Sequence, residues 1–102
     1  MNTQDRIIYQ HVDVLLYPVH RVKGKRIEGR ILAKGEATGH AHVAEGRAEL
    51  YQDDGMLYLR VTGVAEITHP EHKPLSISPG AYAVRLVSEY DHFAEEARAV
   101  RD

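Results

Sequence analysis

The chain contains no cysteine, no tryptophan and a single phenylalanine in 102 residues. Without thiols, disulfide staples and thiolate metal centres are excluded, so any bound metal must rely on His, Asp, Glu or carbonyl oxygen. No apolar run approaches the roughly 20 residues of a membrane-spanning helix. Charge of one sign is also missing. Thirteen Lys and Arg stand against 15 Asp and Glu, for a formal net charge of −2, which gives no support to a broad nucleic-acid-binding surface. The start, MNTQDRIIYQ, lacks the basic head and apolar run of a signal peptide. The expectation is a cytoplasmic protein with no membrane partner. A chain of this length fits one domain, residues 1–102, with one modest core.

What is present is β-like. The run 12-VDVLLYPVH-20 reads as a strand that ends or bends at Pro18, and 21-RVKGKRIEGR-30 as an exposed basic loop. A second strand follows at 30-RILAKGE-36. The clearest hairpin signal is 48-AELYQ-52 and 56-MLYLRVTG-63 around the turn 53-DDG-55. There Leu57, Leu59 and Val61 alternate with Met56, Tyr58, Arg60 and Thr62, the period of two that separates a core face from an outer face. Segment 64–68 continues extended after a bulge or kink at Gly63.

The three prolines of 69-HPEHKPLSISPG-80 predict a stiff extended loop. A last strand, 81-AYAVRLVSEY-90, puts Tyr82, Val84 and Leu86 on one face. The segment 91-DHFAEEARAVRD-102 reads as a helix capped by Asp91, with Phe93, Ala97 and Val100 as its apolar stripe. Together these elements predict an all-β fold, a small barrel or sandwich, with one short C-terminal helix. Small barrels often close their edges through copies of themselves, which makes a homo-oligomer an expectation of the class.

Histidine is abundant, with seven in the chain. In 38-TGHAH-42, His40 and His42 leave the same face of an extended strand, about 7 Å apart at Cα. Imidazoles so placed can tilt onto one divalent ion at about 2.0–2.1 Å, with Gly39 leaving room and the Thr38 hydroxyl within reach of a substrate. In 69-HPEH-72, Pro70 keeps His69 extended, and His72 with His69 or Glu71 can face the same side. His40, His42, His69 and His72 are therefore the candidate metal ligands, for Zn, Mn, Fe or Ni. His40, His72 and Glu71 are the candidate catalytic groups. Thr38, Arg47, Tyr82 and Arg85 are candidate contacts to a small-molecule or nucleotide-like substrate. His11, His20 and His92 read as surface or local structural residues.

A metal-free alternative uses His40 and His72 as acid and base, with Lys34, Arg47 or Arg85 stabilising an anion, in nuclease or phosphate chemistry. A further alternative is a non-catalytic ligand-binding or assembly module. Serine-elbow, cysteine-nucleophile, phosphate-loop and HExxH motifs are absent.

Two resemblances bear on these readings. The segment 35-GEATGHAHVAEG-46 resembles the first cupin motif in kind, although its spacings are shorter and no His follows 79-PGAY-82. That resemblance implies a small metal-binding β fold. Across most of its length the chain is similar to short uncharacterised bacterial and phage-type proteins, through 13-DVLL-16, 38-TGHAH-42, 57-LYL-59, 71-EHKPL-75, 79-PGAYAV-84 and 89-EY-90. This likeness implies weight on His40, His42, Glu71 and His72, and no particular reaction.

Overall fold

The structure, a computed structural model, describes residues 7–34, 40–86 and 98–101. Every element in them is a strand: β1 (Ile7–His11), β2 (Val14–Val19), β3 (Lys25–Ile27), β4 (Ile31–Lys34), β5 (Ala41–Asp53), β6 (Met56–His69), β7 (His72–Ile77), β8 (Gly80–Leu86) and β9 (Arg98–Arg101). They form one antiparallel sheet in the order β3-β5-β6-β8-β2-β1-β9, with β4 also on β5 and β7 also on β6. Among the described residues no helix is long and apolar enough to cross a membrane.

The β5–β6 hairpin is the spine. Its ladder runs from Val43↔Thr68 to Asp53↔Met56 and slips once, between Gly46 and Ala48. The irregularity thus centres on Gly46, with Gly63 lying across from it. Gly46 has φ of 92°, and a Cβ there would overlap the Val64 carbonyl oxygen. Gly46→Ala is expected to cost about 2–3 kcal/mol through left-handed strain and overlap. A thermal melt should show the midpoint about 10 °C lower. An unchanged midpoint would mean that the bulge relaxes freely.

Beyond the bulge, one edge of β6 serves two partners in tandem. Leu57–Val61 pairs with β8, and Ala65–His69 pairs with β7. The chain therefore turns a corner at Ser78-Pro79, and the sheet curls so that β1 lies across β7. That crossing is made by side chains. The Tyr9 hydroxyl donates to Ser78 Oγ at 3.0 Å and accepts the Ser78 N–H at 3.1 Å, and His11 Nε2 meets the Lys73 carbonyl at 2.7 Å. Inside the curl lie Val14, Leu16, Leu50, Leu59, Val61, Ile67 and Ile77, all buried. The alternation in the first half of β6 is only partly kept, because Tyr58 is buried along with Leu59 and Val61.

Several expectations need correcting. The proline-rich segment 69–80 holds strand β7, with Pro74 inside it. The basic stretch 21–30 contains the short strand β3. Pro18 does not end its strand but pairs with Tyr82; it lies past the last β1–β2 pair, Tyr9↔Leu16, so no ladder bond is lost on that side. In β8, Leu86 is exposed and Ala83 buried, so the face assigned to Tyr82, Val84 and Leu86 does not extend to Leu86. Of the helix read over 91–102, residues 98–101 are instead strand β9 on the outer edge of β1. The rest of that helix lies outside the described residues.

Candidate histidine site

Five histidines converge at the end of the curl where β1, β5 and the β6–β7 turn meet. His42 lies on β5, and His40 immediately precedes that strand, two residues back. His69 and His72 face each other directly across the turn, as the closing pair of the β6–β7 hairpin. The rings of His11, His42, His69 and His72 form a closed circuit, with centroid separations of 5.0 Å, 4.6 Å, 4.7 Å and 6.3 Å in that order. His40 is attached to it through His69, at 5.7 Å. Outside the circuit, His40 Nδ1 lies 3.3 Å from Glu71 Oε1, on the solvent side.

His11 is the member that sequence reasoning missed. It is fully buried, whereas the sequence alone reads it as a surface or local structural residue. Strand parity with buried Tyr9 and the HxD spacing to Asp13 were the available signals. The turn that carries it is unusual. Val12 has φ of 60°, left-handed backbone at a β-branched residue, in the place where two-residue hairpins favour glycine. Such a conformation costs about 1–3 kcal/mol. Gln10 Nε2 donates to the Val12 carbonyl at 2.9 Å and helps hold it. The two residues flanking this strain, His11 and Asp13, both reach the histidine site.

The hydrogen-bond partners of the two buried imidazoles give the site its character. The Lys73 carbonyl can only accept, so His11 Nε2 carries a proton and a neutral His11 presents a lone pair at Nδ1. That atom is 2.8 Å from His42 Nδ1, and His42 Nε2 is 3.3 Å from Asp13 Oδ1. If neutral His42 is protonated at Nδ1, its bare Nε2 faces the carboxylate. If it is protonated at Nε2, two bare Nδ1 atoms face each other. No neutral tautomer satisfies all three contacts.

A proton would resolve the conflict, but burial opposes it. Desolvation, then the neighbouring His11 and His69, lower His42 to about 4 despite Asp13. Desolvation is also the main cause that lowers His11 and His69. With His11, His42 and His69 held neutral at pH 7, the centre is electron-rich and has one acceptor too many.

The donors are not arranged as a finished metal site. Among the described residues no group of three or more His, Asp or Glu side chains is positioned to hold an ion. The 2.8 Å between His11 and His42 is a hydrogen-bond distance, shorter than the roughly 3.3 Å edge of a tetrahedron with bonds of about 2.0–2.1 Å. His69 Nδ1 meanwhile accepts the Glu71 N–H at 3.1 Å.

The other candidates lie apart from the cluster. Tyr82 is buried against Tyr9, donates to the Ser78 carbonyl, and has its hydroxyl pKa raised chiefly by burial. Arg47 lies exposed over Gly63, and exposed Arg85 sits 5.8 Å from the Tyr17 ring. Thr38 and His92 lie outside the described residues.

Comparison with known proteins places the chain in a family. It belongs to the domain-of-unknown-function family DUF8820, whose model matches residues 10–86. This agrees with the likeness to an uncharacterised family. No curated protein and no solved structure matches the chain.

Proposed function

We propose that this member of DUF8820 is a divalent-metal-binding protein and that its ion sits among His11, His42 and His72. One observation carries the reading. The Nδ1 atoms of His11 and His42 face each other while both Nε2 atoms are turned toward acceptors, Lys73 O and Asp13 Oδ1. Histidines that ligate metals characteristically direct their second nitrogen to a carbonyl or carboxylate in this way. Opening the pair by about 0.5 Å gives it the ligand–ligand spacing of a tetrahedral ion. A cation there also removes the surplus lone pair that no neutral tautomer accommodates.

His72 is the readier third ligand, because His69 must first give up the Glu71 N–H. An all-imidazole set with no thiolate favours a borderline ion such as Zn(II) over Ca(II) or Mg(II). The exposed side suits proton transfer to a bound molecule. His40 and Glu71 pair there at 3.3 Å, with side-chain exposures of 35% and 61%. Hydrolysis assisted by that pair is the catalytic extension of this reading.

The test is Co(II) titration of tag-free, chelator-treated protein, followed by visible absorption and elemental analysis. One equivalent should bind with the intense bands of a four-coordinate nitrogen site, and His42→Ala should abolish them. Asp13→Asn, which keeps the ligands but weakens the orienting contact, should cost about tenfold or more in affinity. Absence of stoichiometric uptake, or uptake unchanged by His42→Ala, would defeat the proposal.

A further inference from the structure

On the outer surface of the sheet a groove of about 450 Å³ is lined by His20, Arg21, Val22, Arg60, Val61, Thr62, Gly80 and Ala81. Its construction follows from register. Arg60 and Thr62 are two apart on β6 and share its exposed face. Arg60 stands opposite Ala81 of β8, and Ala81 opposite Val19 of β2. The small residues Gly80 and Ala81 thus make a low floor. Arg60 and Thr62 form one wall, and the 20–22 segment leaving β2 forms the other.

Two arginines and a histidine line this groove and no acidic side chain does, in a protein whose net charge is −2. Neither Arg21 nor Arg60 has an ion pair among the described residues, where the salt bridges involve Arg26, His40 and His42. Glu49, directly across the ladder from Arg60, is taken by Arg26 at 3.6 Å and by the Tyr51 hydroxyl at 3.3 Å. Cations gathered without a counter-ion repel one another and favour a bound anion.

We propose that this groove is a binding site for a small organic phosphate. Its anionic end lies between Arg21 and Arg60, and its apolar body on Val22 and Ala81. Each guanidinium can fork onto two oxygens. A carboxylate satisfies one such fork, whereas a phosphate has oxygens enough for two. The Thr62 hydroxyl and the His20 ring supply further donors. The mixed lining selects a phosphate ester over inorganic phosphate, and the volume falls in the range usual for small-molecule sites. This site does not depend on the histidine cluster.

The experiment is titration of the full-length protein with phenyl phosphate, inorganic phosphate and benzoate, read by amide chemical shifts and calorimetry. Phenyl phosphate should move the amides of residues 20–22, 60–62 and 80–81 and bind about tenfold or more tighter than either other probe. Arg60→Gln and Arg21→Gln should each weaken it by about tenfold, Arg60→Lys by less, and Arg85→Gln, outside the groove, should leave it unchanged. All three positions are solvent-exposed, so these variants keep the fold. His42→Ala should bind phenyl phosphate as the parent does. No shifts in the groove, an equal response to all three anions, or shifts centred on the histidines would each overturn the proposal.

Discussion

His11→Ala is expected to unfold about 10–20 °C below the parent protein in a thermal melt and to take up no metal. His11 is fully buried, and its ring joins β1 to the Lys73 carbonyl of β7 and to His42 of β5. Truncation leaves a cavity and removes the partner of a carbonyl 62 residues away. Together these cost about 2–4 kcal/mol, and a domain of this size loses about 4–8 °C per kcal/mol. The melt should be run with chelator, so that the loss reports packing alone. Saturating Zn(II) should then raise the parent by up to about 4 kcal/mol at a thousandfold excess over its dissociation constant, and raise the variant by nothing. A variant that melted with the parent in chelator would remove His11 from the structural centre. One that still gained stability with zinc would remove it from the ligand set.

Acid should destabilise the metal-free protein well before its carboxylates titrate. His42 is held at about 4 in the folded state, against 6.5 for an ordinary histidine, chiefly by desolvation. The unfolded chain therefore binds more protons between those values. The stabilising contribution is fully present above about pH 6.5 and is lost as pH falls toward about 4. For His42 alone the span is on the order of 3 kcal/mol. His11 and His69 are lowered as well and act in the same direction. Urea unfolding in chelator at several pH values should show the midpoint falling through that window, and His42→Gln should flatten the slope. A parent midpoint that stayed constant from pH 7 to 4.5 would contradict the burial of a neutral cluster.

The histidine address was legible because strands repeat every two residues. The HxH of 40–42 and the pair across the 69–72 turn carry their own geometry. His11 was not, because it lies 29 residues before His40 in sequence, among apolar residues that read simply as core. Only the curl of the sheet brings β1 over β7, and long-range curvature leaves no local pattern. Strand β7 is hidden by the prolines in and around it; Pro74, the one inside it, is tolerated because its ladder among the described residues is to β6 alone. The end of the chain misled in the opposite direction. Arg and Ala favour helix, but the available edge of β1 took residues 98–101 into the sheet. The basic groove was invisible in sequence because its two walls, 20–22 and 60–62, meet only through the β2–β8–β6 register.

The crossing of β1 over β7 has a consequence for how copies of the protein treat one another. The outer margin of β7 is sealed at Lys73 by an imidazole, and Ser78 just beyond it by a phenol, with no further strand on that side among the described residues. Two side chains thus stand where a neighbouring chain would otherwise add its backbone. Removing either one uncovers a short template for strand addition. His11→Ala and Tyr9→Phe would therefore self-associate by edge-to-edge pairing, whereas surface changes such as Arg60→Gln leave that margin closed.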